Sequence, residues 1–241
     1  MDDKLGELLL LPNLLSQDLD PQVHLPLALN DAMERIDGLI AESEGGARRF
    51  LKRFKLKKAP HLIPVALLNE HSQAKDVDWL LEPVEAGECW GLVSDAGVPC
   101  LADPGSNLVY RARLKGLRVK AIPGPSSLVM ALVLSGLPAQ AFASHGYMPR
   151  DAGKRTEFLR NMEQRAIRDR GTQVFFEAPY RNMHAFDACL ETLNPKTLLA
   201  IACDLTGESE WVQCLPVEMW RKAPRPQLEK RPAVFLVYAK N

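Results

Sequence analysis

The spacing of hydrophobic and polar residues along the chain predicts an alternation of strands and helices. Short apolar runs that are typical of buried strands occur at residues 6–11 (GELLLL) and 89–94 (CWGLVS). Apolar residues at helical spacing occur at 27–35, and again at 106–115 before Gly116. Repeated units of this kind favour a parallel sheet with helices on its faces.

The pattern changes near residues 136–149 (GLPAQAFASHGYMP), where glycine, proline and other loop residues cluster. The polar segment 153–170 is predicted to be a helix, and another helix is predicted to begin at Pro179. Further strands are predicted in TQVFFE (172–177), TLLAIAC (197–203), WVQCLP (211–216) and AVFLVYA (233–239). The chain is therefore predicted to contain two α/β domains, residues 1–123 and 124–241.

Two more segments of the first half are predicted to be helical. One covers residues 76–88, and the other is the basic segment 47–58 (ARRFLKRFKLKK), which has seven Lys or Arg in twelve residues. Phe50, Leu51 and Phe54 give the basic segment an apolar stripe, as in an amphipathic helix. A charged face of this kind is more often solvated than bound to nucleic acid, so both interpretations stay open.

Composition narrows the class of protein. The 241 residues include 30 Lys and Arg and 30 Asp and Glu, so the formal net charge is zero and no polyanionic partner is required. The five Cys show no CxxC spacing, which indicates reduced thiols in a cytoplasmic protein and no metal site. The acidic N-terminus is unlike a signal peptide, and the longest apolar run, residues 128–134, is too short to cross a membrane.

The candidate chemistry lies in the loops that follow predicted strands, because ligands of parallel sheets bind beyond the carboxyl ends of the strands. These loops are LPN (11–13), SDAGVPCLADPG (94–105), PGPSS (123–127), FEAPYR (176–181) and DLTGESE (204–210). Gly97, Gly105 and Gly124 permit close approach of the backbone to a ligand. Asp103 is predicted to cap the helix that begins near Ser106. No fingerprint of a dinucleotide site, a P-loop or a serine hydrolase occurs.

Taken together and in this order, the motifs resemble a known family. SDAGVPCLADPG is similar to the SDAGTPxxxDPG stretch of the ribosomal RNA (cytidine-2'-O)-methyltransferases, within the tetrapyrrole methylase superfamily. The resemblance continues through RVKAIPGPSSLVMALVLSGLP, FASHGYMPR, VFFEAPYR and DLTGESEW, and covers about residues 88–240. It implies two α/β domains with S-adenosylmethionine in the cleft between them, in a homodimer that acts on ribosomal RNA or the small ribosomal subunit.

The resemblance also implies which residues hold the cofactor. Asp95, Ala96 and Val98 of the 94–105 loop are at the centre of the set. The complete implied set is Pro12, Ser94, Asp95, Ala96, Val98, Ser127, Leu128, Phe176, Leu205 and Ala233. An apolar slot with backbone donors and acceptors and one acidic residue suits a sulfonium cofactor that carries an adenine.

The chain departs from the family pattern in two segments. The first loop reads LPNLLSQ where the family has a PxGN-like sequence, and AESEGGARR replaces an AEDTR-like stretch. Glu42 matches, Ser43 replaces the Asp, and Gly45 falls where the Arg would be. Arg48 or Arg49 is then the substitute that contacts the substrate. These departures leave the cofactor prediction intact but leave the acceptor open.

Methyl transfer to a ribose hydroxyl requires a base that removes the proton. Glu177 is the first candidate, with Arg181 orienting it or a phosphate, and Glu42 and Glu210 come next; Glu210 is also predicted to bind substrate. The alternative is that Glu177 and Arg181 form a structural ion pair. Two other functions also stay open. One is methylation of a tetrapyrrole-like small molecule, and the other is a cofactor-binding protein without catalysis, which the altered AESEGG segment favours.

Overall fold

A computed structural model describes residues 6–16, 18–69, 72 and 76–240. The acidic residues at the N-terminus, used above to exclude a signal peptide, lie outside this part. The chain divides into two compact units, Met1–Ser126 and Ser127–Asn241. The boundary predicted from the sequence, after residue 123, falls slightly earlier in the same loop.

The first unit is built on a five-stranded parallel sheet, as predicted. Its strands lie in the order β3-β2-β4-β1-β5, and every neighbouring pair is parallel. They are β1 Glu7–Leu11, β2 Gly38–Ala41, β3 Val65–Leu67, β4 Cys89–Val93 and β5 Arg118–Ala121. Leu9 and Leu11 of β1 pack on one side of the sheet, and Leu8 packs on the other. Burial on both faces explains why β1 is a continuous apolar run.

In the described residues of this unit the helices are α1 Pro21–His24, α2 Ala28–Arg35, α3 Glu44–Leu51, α4 Asp76–Trp79, α5 Glu82–Glu85 and α6 Ser106–Leu114. The prediction of one basic helix over 47–58 is wrong beyond Leu51, where the chain tightens into a turn and leaves the helix. The single helix predicted at 76–88 is instead two short ones, and Pro83 lies in the first turn of the second, where its missing N–H is tolerated.

The second unit contains a mixed sheet with helices, in agreement with the prediction of a second α/β domain. The order is β6-β7-β10-β8-β9, and only β6 and β7 are parallel. The strands are β6 Phe142–Tyr147, β7 Thr172–Phe176, β8 Leu198–Cys203, β9 Trp211–Pro216 and β10 Ala233–Tyr238. Strand β6 lies in the segment that the sequence pattern presented as a loop.

The helices of the second unit are α7 Ser127–Ser135, α8 Ala152–Asp169, α9 Asn182–Thr192 and α10 Val217–Trp220. Both β7 and β8 run antiparallel to β10, which lies between them. The ends of β7 and β8 therefore meet the beginning of β10 at one edge of the sheet. This register places Phe176 beside Val234, and Cys203 beside Ala233. Among the described residues, no helix is long and apolar enough to span a membrane.

Candidate functional site

The candidate site of the first unit lies where three parallel strands end. Leu11 of β1 and Ala41 of β2 both pair with Val93 of β4. The segments that follow these strands, the loops 12–16 and 94–105 and residues 42–46 at the start of α3, therefore leave the sheet at the same edge. Their side chains form hydrogen bonds that connect the three segments.

Asn13 connects the first loop to the 94–105 loop. Its backbone N–H donates to the carbonyl of Gly97 at 2.7 Å, and the N–H of Gly97 donates back to the carbonyl of Asn13 at 3.2 Å. The side-chain Nδ2 donates to the carbonyls of Ser94 at 2.9 Å and Asp95 at 3.0 Å. Because the residue is 7% exposed, these bonds have little competition from water.

The amide oxygen of Asn13 is held as firmly as its nitrogen. It accepts from the backbone N–H of Leu14 at 2.9 Å and from Nη1 of Arg53 at 2.8 Å. Burial, together with the nearby charge of Arg49, lowers the pKa of Arg53 below its usual value. Sequence reasoning named Pro12 and missed Asn13 and Arg53. The one available signal was a polar amide placed directly after a buried strand and a proline.

Pro12 itself lies against the loop that leads to α7. A Cβ placed on Gly124 would lie 2.1 Å from Cβ of Pro12, which is far closer than real Cβ atoms approach. A glycine is therefore required at 124 by the proximity of the two loops. LPN and PGPSS, two of the loops predicted from the sequence, are thus in contact.

The AESEGG segment, which departs from the family pattern, supports the backbone and side chain of Asp95. Oε1 of Glu42 accepts from the backbone N–H of Asp95 at 3.0 Å. Ser43 caps α3 by accepting from the N–H of Gly46 at 3.1 Å, and its Oγ lies 3.4 Å from Oδ1 of Asp95. A Cβ on Gly46 would lie 2.4 Å from the same Oδ1. Asp95 and Ala96 are themselves exposed. The hydrogen bonds with Glu42 and Ser43 therefore hold this part of the loop while leaving it accessible to solvent.

The loop backbone has left-handed conformations at Gly97, Cys100, Ala102 and Gly105. Two of these residues carry a Cβ, which makes the conformation costly and dependent on its surroundings. The prediction that Asp103 caps α6 is wrong, because the N-cap residue is Gly105 and it makes no side-chain capping bond. Gly105 takes that place with a φ of 128°, a conformation that favours glycine.

Asp103 instead lies near enough to Glu42 and Asp95 to feel their negative charges. Burial raises the pKa of Asp103 from 3.8 to about 6, with a further contribution from the negative charges of Glu42 and Asp95. A hydrogen bond with the buried Ser94 opposes this shift. A carboxyl group with a raised pKa in a loop that follows a strand is a candidate functional residue. The sequence predicted only a structural role for Asp103, as a helix cap.

The Asp103→Asn variant is expected to be more stable than the parent above pH 6, by about 1–2 kcal/mol after allowance for solvent screening. Between pH 3.8 and about 6 the unfolded chain loses the Asp103 proton while the folded protein keeps it. The parent therefore loses stability as pH rises through this window. Urea unfolding between pH 4 and pH 8 measures the effect, and the advantage of the variant shrinks towards pH 4.

Asp37→Asn provides the control with the opposite sign. Burial raises the pKa of Asp37, but hydrogen bonds from the N–H of Cys89 and from Lys57 outweigh it, so the pKa lies below 3.8. This carboxylate stabilises the fold above pH 3.8, and the contribution is lost as pH falls. Equal pH profiles for the Asp103 variant and the parent would exclude the assigned environment of Asp103.

The basic residues predicted to bind substrate have different roles in the structure. Nε of Arg48 lies 2.8 Å from Oε1 of Glu44, and its Nη1 donates to the carbonyls of Pro60 and Ile63. This guanidinium therefore anchors the segment after α3. Arg49 is exposed and has no acidic partner in the described part of the chain. Of the two, only Arg49 is available to a substrate.

Glu177 and Arg181 form the ion pair that the alternative interpretation predicts. Oε2 of Glu177 lies 3.0 Å from Nη2 of Arg181, and these side chains are 3% and 15% exposed. Oε1 of Glu177 accepts from the N–H of Ala178. The contact with Arg181 is ionic rather than an aligned hydrogen bond, so among the described residues Oε2 has no hydrogen-bond donor. That oxygen is therefore a buried acceptor without a hydrogen bond in the described part of the chain.

The 204–210 loop is closed by its own side chains. Oε2 of Glu210 accepts from the N–H of Thr206 at 2.7 Å, and Arg231 forms an ion pair with Asp204 at 2.6 Å. Asp204 and Thr206 are both left-handed, which is uncommon for a β-branched residue such as Thr206. Leu205 is buried between them. The carboxylate of Glu210, predicted to bind substrate, thus shapes the loop.

Comparison with known proteins shows the class to which this chain belongs. The sequence profile of the tetrapyrrole (corrin/porphyrin) methylases matches residues 28–214, and the chain is a member of that family. Two solved structures share its fold over 97% of the chain. They are the methyltransferase CobJ, with a TM-score of 0.63 and 14% identity over 99% of that chain, and a diphthine synthase, with a TM-score of 0.60 and 16% identity over 89% of that chain.

Curated relatives within the family are named ribosomal RNA small subunit methyltransferase I. That of Mycobacterium tuberculosis is 33% identical over 86% of this chain and 69% of its own length. That of Pseudomonas aeruginosa is 30% identical over 64% of this chain and 53% of its own length. That of Vibrio cholerae is 27% identical over 78% of this chain. The chain spans only part of these relatives, 53% of the length of the Pseudomonas aeruginosa protein and 62% of that of the Vibrio cholerae protein.

Proposed function

We propose that this protein transfers a methyl group from S-adenosylmethionine to a ribose 2'-hydroxyl of ribosomal RNA. The observation that carries the proposal is the 94–105 loop, which Asn13 and the AESEGG segment fix while Asp95 and Ala96 remain exposed. Family membership and the names of the relatives support the same reaction. On the family resemblance we also propose a homodimer in the cytoplasm.

The exposed groups suit the cofactor. The carboxylate of Asp95 accepts hydrogen bonds of the kind that a ribose hydroxyl or an amino group donates, and the exposed backbone beside Ala96 offers a donor and an acceptor. Pro12, Ser94 and Val98 complete the proposed set in the first unit. From the second unit we propose Ser127, Leu128, Phe176, Leu205 and Ala233. When bound, S-adenosylmethionine supplies an activated methyl group that needs no metal.

The chain's own task is then to orient the acceptor and to take its proton. Glu177 is the proposed base, because its Oε2 lacks a hydrogen-bond donor among the described residues and lies beside Arg181. Arg181 is proposed to hold that carboxylate in place or to contact a substrate phosphate. Glu42 is a weaker candidate because it already accepts from the N–H of Asp95.

The Glu177→Gln variant is expected to bind S-adenosylmethionine with unchanged affinity and to turn over about a hundredfold more slowly. The amide retains the acceptor for the N–H of Ala178 but cannot take a proton. Single-turnover methyl transfer measures the rate, with urea unfolding alongside. A variant that is less stable but transfers methyl at the parental rate leaves Glu177 with the ion-pair role alone.

Exposed cations of α8 are proposed to hold RNA phosphates. Lys154, Arg160 and Arg165 lie on its exposed side, whereas Arg168 is paired with Asp169. Helix periodicity places Lys154 and Arg165 on the same face, so they offer charges along its length. Contacts of this kind make RNA affinity fall steeply with salt concentration.

Transfer of labelled methyl from S-adenosylmethionine tests the proposal directly. Total RNA, small ribosomal subunits and fractionated small metabolites are offered as acceptors to the parent and to Asp95→Ala. We expect label in RNA, resistant to alkali between adjacent nucleotides because the 2'-hydroxyl is blocked, and little transfer by the variant. Label in a metabolite fraction alone would replace the RNA proposal by a small-molecule acceptor, and failure to bind S-adenosylmethionine would refute both.

A further inference from the structure

The second unit contains an open cavity of about 510 Å³ that the cofactor assignment does not use. It lies between the start of β9, the end of the 204–210 loop and the segment 223–231. The residues that matter for its chemistry are Trp211, Gln213, Pro224, Pro226, Gln227 and Arg231. Glu210, which the sequence predicted to contact substrate, also lines it.

The apolar walls of this cavity are stiff and partly flat. The indole of Trp211 packs against Trp220, with ring centroids 6.2 Å apart and planes inclined by 64°. This contact fixes the Trp211 ring while leaving the residue half-buried. Pro224 and Pro226 add rings with fixed backbone angles. A rigid aromatic surface with apolar neighbours is suited to stacking a planar group.

The polar groups of the cavity divide into fixed and free ones. Arg231 is fixed, because its guanidinium donates to the carboxylate of Asp204 and to the carbonyls of Ser209 and Gln227. The side-chain amides of Gln213 and Gln227 make no hydrogen bond with any described residue. Each amide offers two N–H donors and a carbonyl acceptor, which can form hydrogen bonds with the edge of a nucleobase.

Cations flank the same segment, whose sequence from residue 221 is RKAPRPQLEKR. Arg221 donates to the carbonyl of Leu190, and Arg225 is paired with Asp187. Lys222 and Lys230 are exposed and have no acidic partner in the described part of the chain. They stand on either side of the stretch that contributes to the cavity. Their charges complement phosphates before and after a bound nucleotide.

We propose that this cavity is the subsite for one unstacked nucleobase of single-stranded RNA. The base stacks on Trp211, its edge is read by Gln213 and Gln227, and the adjoining phosphates are held by Lys222 and Lys230. A proline-rich peptide would use the aromatic surface but has no need of the two lysines. The inference rests on the proposed RNA substrate and adds the place where the RNA is recognised.

The test is binding of a fluorescein-labelled twelve-nucleotide single-stranded RNA, followed by anisotropy. Trp211→Ala is expected to weaken binding about tenfold, and Trp211→Phe, which keeps an aromatic face, restores most of it. Trp79→Ala is the matched control, since Trp79 is a half-exposed indole of the first unit. Gln213→Leu is expected to alter the preference among homopolymeric RNAs without an equal loss of overall affinity.

The outcomes separate this inference from the proposed function. An oligomer of the same length with abasic sites that binds the parent as tightly as the intact RNA overturns the base subsite. So does a proline-rich peptide that binds the parent with a dependence on Trp211 when RNA does not. If ribosomal RNA is methylated at parental KM by Trp211→Ala, the subsite is refuted and the function stands. If RNA binding depends on Trp211 but no RNA is methylated, the function is refuted and the subsite stands.

Discussion

The Asn13→Ala variant is expected to lose about 2–4 kcal/mol of unfolding free energy and to bind S-adenosylmethionine more than tenfold more weakly. The substitution removes both side-chain bonds to the 94–105 loop and the acceptor of Arg53. The buried carbonyl of Ser94 and the guanidinium of Arg53 then lack their partner, and burial makes that loss costly. Urea unfolding measures the first effect, and calorimetry on the folded fraction measures the second.

Thr197→Val serves as the control for stability. It removes a buried hydrogen bond to Glu163 in the second unit and leaves the candidate cofactor loop untouched. A loss of stability is expected, but the affinity for S-adenosylmethionine is not expected to change. If Asn13→Ala binds the cofactor as tightly as Thr197→Val does, the loop connection by Asn13 has only a structural role.

The first unit could be predicted from the sequence because its strands are parallel and buried. Leu8, Leu9 and Leu11 face cores on both sides of the sheet, so β1 is apolar at almost every position. Such runs are recognisable without any knowledge of their neighbours. The end of α3 at Leu51 could not be predicted in the same way. After Phe50 the chain forms a turn, and Arg53 bonds to Asn13, and neither contact can be read from the periodicity of apolar residues.

The second unit shows where hydrophobic pattern stops being informative. Strand β6 is largely exposed and lies at the edge of the sheet, and its register shifts between Ser144 and Tyr147. An edge strand of this kind has no apolar signature. The direction of β10 is likewise absent from the local pattern, since AVFLVY is apolar in either orientation. Antiparallel pairing emerges only when Ala233 is seen beside Cys203.

For the candidate site, the sequence predicted the loops but not the contacts between them. Gly, Pro and Asp after strands identify where backbone leaves the sheet, and PGPSS and LPN do meet there. The partners of Asn13, however, lie 81 and 82 residues further along the chain. The sequence predicts Asp103 as a helix cap, whereas burial and the neighbouring carboxylates of Glu42 and Asp95 raise its pKa. Long-range contacts of this kind require the folded chain.

Gly46 offers the sharpest test of Asp95 as a cofactor residue, and Gly45 beside it is the control. A Cβ on Gly46 would lie 2.4 Å from Oδ1 of Asp95 and 2.8 Å from Oγ of Ser43, so both groups must move. A Cβ on Gly45 meets only the mobile end of Arg49, at 3.4 Å. Both glycines lie in the first turn of α3, so each alanine substitution gains a similar helix propensity.

We therefore expect Gly46→Ala to unfold at a lower urea concentration than Gly45→Ala, because the displaced Asp95 carboxylate is exposed but the displaced Ser43 hydroxyl caps α3. Their affinities for S-adenosylmethionine are expected to differ about tenfold, with Gly46→Ala the weaker. Calorimetry on the folded fraction of each variant makes the comparison independently of stability. Equal affinities would mean that the Asp95 carboxylate does not contact the cofactor. The segment AESEGG would then support the loop only through the bond from the backbone N–H of Asp95 to the side chain of Glu42.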